Sequence, residues 1–251
     1  MGLAFAIDAS YSEATTQKLN ALKARGVKLF IQCLWTAAEQ PAIRVNNLRA
    51  ASDVNLPIAG YISLNQYQLG SWHMVKGRVG VPDDLWDKLQ FVAIDIELSG
   101  ISALQVADAV EWVRARGKRP IIYTSYNAWT TLLVPGNSTL ISQMGVPLWN
   151  AYWDVNPDID FPTLRYGGWK DEDVWIEQWS GGVDMELLHV DRNTFVEEKV
   201  MPTATIPTPI YLTAALAKVS GLFTIAAGKA LAGEKLTVAE KGAIAWLVSQ
   251  P

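Results

Sequence analysis

Asp95 and Glu97 stand two residues apart inside an otherwise apolar run, residues 91–98, which reads Phe-Val-Ala-Ile-Asp-Ile-Glu-Leu. Successive side chains of a strand point to opposite faces, so the two carboxyls share one face while Ile94, Ile96 and Leu98 share the other. Their Cα atoms are then roughly 6.6 Å apart. That is wide for an attacking carboxylate, whose partner acid normally lies about 5 to 5.5 Å away, and it suits a proton donor whose neighbour assists a water or a substrate group. Glu97, one step further toward the strand's end, is the candidate donor; the charge of Asp95 and partial desolvation would both raise its pKa. An isolated pair of this kind reads equally as one ion-paired and one solvated acid, so the surrounding chain has to decide.

Strand-like runs recur at residues 3–8, 27–35, 56–64, 91–98 and 120–125. Between them lie helical patterns at 12–26, where Ser12 can cap, at 41–52, at 102–116, and an irregular one at 126–142. Residues 65–88, with Gly70, Gly77, Gly80 and Pro82, break the rhythm and read as a long excursion with a short helix near 83–89. The alternation is that of βα units around a parallel sheet. From residue 146 onward, strands at 148–153, 174–179 and 187–195 follow without regular helices between them. Eight strands and about five helices predict an α/β fold, an irregular TIM-like β/α barrel, over residues 1–201. Active sites on such barrels lie at the C-terminal ends of the strands, where Asp8, Asp95, Glu97 and Asp191 are all expected. That convergence favours a catalytic centre over an ion pair.

Composition narrows the classes. Half of the 251 residues are hydrophobic and 18% are charged, which excludes a disordered chain, and a formal charge of -4 gives no basic footprint for nucleic acid. The single cysteine, Cys33, sits in an apolar run and reads as a small core residue. The eleven tryptophans are explained mostly by core packing, but aromatic faces also serve as platforms in sugar-binding clefts.

Seven short motifs then occur in one order: Ile7-Asp8-Ala9-Ser10, Tyr61, Ala93-Ile94-Asp95-Ile96-Glu97, Ile122-Tyr123-Thr124-Ser125, Leu148-Trp149-Asn150-Ala151-Tyr152, Trp175-Ile176-Glu177-Gln178-Trp179-Ser180 and Val190-Asp191-Arg192-Asn193. Together they resemble the family-25 glycoside hydrolases, lysozyme-type muramidases of bacteria, fungi and phages. The resemblance implies cleavage of the β-1,4 bond between N-acetylmuramic acid and N-acetylglucosamine in peptidoglycan. It assigns Glu97 as acid/base and Asp95 as the residue that orients the 2-acetamido group or stabilises the cationic transition state. Asp8 and Asp191, on adjacent strands, would give electrostatic stabilisation and hydrogen bonds to sugar, and Tyr61, Tyr123, Trp149 and Gln178 would line the cleft. The family often carries His after the third-strand Tyr, where this chain has Ile62. On the second strand it often carries Lys-Ala-Thr-like residues, where this chain reads Gln32-Cys33-Leu34-Trp35-Thr36. These departures leave room for a non-catalytic carbohydrate-binding or virion structural barrel, or for a glycosidase acting on another substrate containing N-acetylglucosamine.

Rival chemistries find less support. His73 and His189 have no partner at zinc spacing and read as surface or satisfied histidines. Asp154, Asp158, Asp160, Asp171 and Asp173 read as decoration of a solvated loop, and glycosidic hydrolysis implies no metal or other cofactor. Residues 202–209 hold three prolines and three threonines and read as a stiff linker. Residues 210–251 read as a helical hairpin for wall binding, docking or self-association; Lys218 and Lys229 argue against a membrane span. No signal peptide is legible at the N-terminus. The expectation is a phage endolysin made in the host cytoplasm and released to act on the wall, or a lysin carried in a virion.

Overall fold

The computed structural model describes residues 2–160 and 165–201. The linker at 202–209 and the hairpin expected at 210–251 lie outside the described residues. Eight strands close into a barrel in chain order: β1 (Leu3–Ala9), β2 (Val27–Thr36), β3 (Ile58–Ser63), β4 (Leu89–Asp95), β5 (Pro120–Thr124), β6 (Leu148–Ala151), β7 (Val174–Met185) and β8 (Leu188–Val196). Neighbours from β1 to β7 run parallel, whereas β8 is antiparallel to both β7 and β1. The expected irregular β/α barrel is therefore the observed one.

Strand alternation sorts the apolar residues into two cores. Inside the barrel, Ala4 and Ala6, Ala59 and Ala93 leave room for Phe91, Trp149 and Phe195. Outside it, Ile7, Phe30, Ile62, Ile94 and Ile96 pack under the helices. These are α1 (Thr16–Ala24), α2 (Arg44–Asp53), α3 (Gly70–Arg78), α4 (Asp83–Trp86), α5 (Ala103–Arg114), α6 (Leu140–Gln143) and α7 (Glu197–Val200). Ser12 does not cap α1; Thr15 does, accepting from the Lys18 amide. Gln32, on the departing second strand, points outward, where its amide donates to the Ala9 carbonyl and accepts from Asn47 of α2 at 2.8 Å. It fastens a helix to the barrel rather than facing the interior.

Helix α3 occupies the stretch read as an excursion. Its glycines are packing positions: a Cβ on Gly70 would fall on the Gln105 carbonyl and crowd Ala109 of α5, and one on Gly77 would fall on Ile62. Gly70→Ala is expected to cost about 3 kcal/mol, at the upper end of overpacking penalties. Thermal unfolding checks this, and an unchanged melting temperature contradicts the packing described.

At the other end of the chain β7 and β8 form a long hairpin turning at Glu186 and Leu187, both at positive φ. Leu187, expected to open a strand, is thus a turn residue that stands fully in solvent.

Candidate active site

The inner face of β4 presents Phe91, Ala93 and Asp95 in turn, with Phe91 and Ala93 in the interior core. β4 ends at Asp95, one step below the mouth; Glu97 follows beyond the last strand residue and is solvent-exposed, as is Leu98. Asp95 pairs in register with Ser63 of β3, and the Ser63 hydroxyl donates to Asp95 Oδ2. Asp95 is only 6% exposed, and its second oxygen, Oδ1, is buried without a protein partner.

Across the barrel, Asp8 of β1 and Asp191 of β8 are direct register partners. Asp191 lies in the first half of β8, not at its C-terminal end. It reaches the same rim as Asp8 because β8 runs the opposite way. Gln178 of β7 joins the two acids: its Nε2 donates to Asp8 Oδ2 and to Asp191 Oδ2, each at 3.2 Å. Its Oε1 accepts from the Tyr123 hydroxyl at 2.8 Å and from the Trp153 indole at 2.7 Å. Asn193 also donates to Asp8 Oδ2, at 2.8 Å, while its Oδ1 accepts from the Trp149 indole at 2.8 Å. The Gly182 amide holds Asp191 Oδ1 at 2.6 Å.

Four acids facing one apolar-walled space cannot all ionise freely. Burial first, then the charge of Asp191, pushes Asp8 up to about 7, against the hydrogen bonds from Asn193 and Gln178. Burial, then the Glu97 charge, holds Asp95 well above the usual carboxylate range. Glu97 is raised by desolvation and by Asp191, with Tyr123 opposing. Glu97 thus keeps access to water while enough protein surrounds its carboxyl to desolvate it, as befits a group at the lip of a concave mouth. The sequence pattern put the Asp95 charge among the causes acting on Glu97; in the structure that repulsion registers on the more buried Asp95. Asp191 is raised by burial, with the Gly182 amide and His189 opposing. Below the site, burial pushes the Cys33 thiol up to about 12, so it stays a packing residue. His73 is buried, accepts from the Trp35 indole at 3.0 Å, and is pushed down to about 4 by desolvation.

All eight residues expected at the site surround the same end of the barrel, but not all line an open cleft. Trp149 is the floor: it is buried, with Tyr123 at 4.8 Å and Tyr61 and Phe91 each at 6.4 Å between ring centroids. Tyr123 and Gln178 are buried too, and Tyr61 alone of the four retains partial exposure. Tyr11, Tyr67, Tyr126, Tyr152 and Trp153 are exposed on the segments that leave the C-terminal ends of β1, β3, β5 and β6. Ser63 and Trp153 are site residues that lie outside the motifs, and Asn193, within the eighth-strand motif, was assigned no role by it. Ser63 follows Tyr61, and Asn193 follows Asp191, by the same two-residue step that pairs Asp95 with Glu97.

Solved structures share this fold. A family GH25 lysozyme from Aspergillus fumigatus superposes over 78% of this chain and 94% of its own, with a TM-score of 0.61 and 20% identity. The fold is that of the family-25 lysozymes. The CTP1L endolysin superposes with a TM-score of 0.60 and 12% identity, over 81% of this chain and 71% of its own. In sequence, counting factor 45-1 of Dictyostelium discoideum is 32% identical over 97 residues, which are 38% of this chain and 30% of that protein. The chain therefore spans under a third of that relative. No protein-family profile matches the chain.

Proposed function

We propose that this barrel is a peptidoglycan hydrolase of the muramidase type, cleaving the β-1,4 bond between N-acetylmuramic acid and N-acetylglucosamine. The observation that carries the reading is Asp95: one oxygen is held by Ser63, and the other is buried and unpartnered beside Glu97. A buried carboxylate oxygen without a donor is costly, and the N–H of a substrate acetamido group supplies one.

The reaction then proceeds with substrate assistance. Glu97 gives its proton to the glycosidic oxygen as the C1–O bond breaks, and the acetamido carbonyl oxygen closes on C1. With the proton on Glu97, the repulsion that adds to the burial of Asp95 is absent, and the acetamido N–H donated to Oδ1 favours the ionised form against the remaining cost of burial. Glu97, now a carboxylate, takes a proton from the water that attacks C1 and releases the sugar. Asp8 and Asp191, fixed by Gln178, offset the positive charge that develops at the ring. Tyr61 and the exposed Trp153 offer surfaces to the glycan.

Likeness in fold to a lysozyme and an endolysin supports this chemistry. A role as a phage endolysin, acting on the wall after release or from a virion, belongs to the same proposal. The full chain is expected to release soluble fragments from purified peptidoglycan. Sacculi left intact across several wall types would sink the reading.

A further inference from the structure

Back to back with Gln178, on the outer face of β7, a second group of acids comes together. Asp154, Asp158 and Asp160, on the loop after β6, each place one carboxylate oxygen within 4.8 Å of the others. Beside them Glu177 is fully buried. Its Oε2 accepts from the Asp160 amide at 3.0 Å, while its Oε1 is buried with no hydrogen-bond partner. The loop reads Asp154-x-Asn156-x-Asp158-x-Asp160, an oxygen-bearing side chain at every second position. Calcium loops open with that spacing, although this one has Ile159 where the helix-loop-helix type has Gly. The nearby cation that acts on Asp160 is Arg165, itself engaged with Asp171.

We propose that Asp154, Asp158, Asp160 and Glu177 form a divalent-cation site selective for Ca2+. The donor set is all oxygen and all carboxylate, which suits a hard cation, and carboxylates offered by a loop suit the adaptable coordination of Ca2+ better than the near-ideal octahedron that Mg2+ demands. The buried, unpartnered Glu177 Oε1 gains a ligand there. The ion would also fasten the loop that carries Trp153, whose indole bonds Gln178, and whose neighbours Tyr152 and Val155 donate backbone N–H groups to β7 at 3.0 Å. The acids expected to decorate a solvated loop differ in burial: of these three, Asp154 and Asp158 are half-buried and Asp160 is exposed.

The site stands or falls independently of the muramidase reading, because its test is binding. The full chain, stripped with EDTA and dialysed, is titrated with CaCl2 or MgCl2 at matched ionic strength, and unfolding is followed by circular dichroism. Saturating Ca2+ is expected to raise the melting temperature by about 5 °C, as a ligand specific to the folded state does. Mg2+ should give less than half of that shift, and Asp158→Asn and Glu177→Gln should each abolish the Ca2+ response. Both variants are near-isosteric, and Asp158 lies on the loop, so a folded variant is available even if the buried position proves intolerant. No shift in the wild type, an equal shift with Mg2+, or a Ca2+ response retained in a folded variant overturns the proposal.

Discussion

Replacing Glu97 by Gln lowers the rate of fragment release from purified peptidoglycan by about 10³-fold, within the range that general acid–base catalysis contributes. The same variant keeps its melting temperature within about 2 °C of wild type, because an amide replaces an exposed carboxyl of the same shape. Initial rates and a melting curve on one preparation check both halves. The acid must hold a proton to work. Desolvation raises Glu97, Tyr123 opposes, and Asp191 adds to the rise, so the protonated fraction persists above the usual carboxylate range. The alkaline limb of the wild-type pH profile accordingly falls above ordinary glutamate titration, and activity is lost as pH rises through it. Activity in Glu97→Gln within tenfold of wild type would remove Glu97 from the acid/base role.

Asp8→Asn is expected to stabilise the barrel and to impair the enzyme. Both donors to Asp8, from Gln178 and Asn193, converge on one oxygen, Oδ2, so an asparagine Oδ1 in its place keeps both bonds. What disappears is a buried charge facing Asp191. The sign follows from the raised pKa. Asp8 titrates near 3.8 when unfolded and at about 7 when folded, so the folded state binds the extra proton and wild-type stability falls as pH rises from about 4 through 7. At about 1.4 kcal/mol per unit, discounted because Asp8 titrates together with Asp191, the variant should gain on the order of 2 to 4 kcal/mol at pH 8 and much less at pH 5. Urea denaturation at the two pH values measures it. Activity should fall by about 10²-fold, the scale of losing one preorganised electrostatic contact. A stability gain equal at both pH values would show that Asp8 is not held above its ordinary titration range.

The strands and their order were legible because alternation and β-branched runs are local signals, and the same alternation placed Asp95 and Glu97 on one face. The failures have equally physical causes. Gly70 and Gly77 carry the signature of a loop, yet each is small because another element presses against it. Glu186 and Leu187 turn the last hairpin without the Asn-Gly or Asp-Gly pair that such turns favour, so nothing local announced the antiparallel return that brings Asp191 to the rim. Trp149 belongs to a site motif but lies under the site, since a motif gives a residue's place along a strand and not its depth in the barrel. Trp153 and Glu177 matter through partners distant in sequence, Gln178 in one case and the aspartate loop in the other. The regular spacing of that loop was visible; the buried acid behind it was not.

Muramidase cleavage is recognised by the chemistry of the new chain ends. Fragments released by the full chain from purified peptidoglycan are reduced with borohydride and identified by mass. Reduced N-acetylmuramic acid is expected at the new ends. Reduced N-acetylglucosamine there, or no new reducing ends at all, contradicts muramidase cleavage.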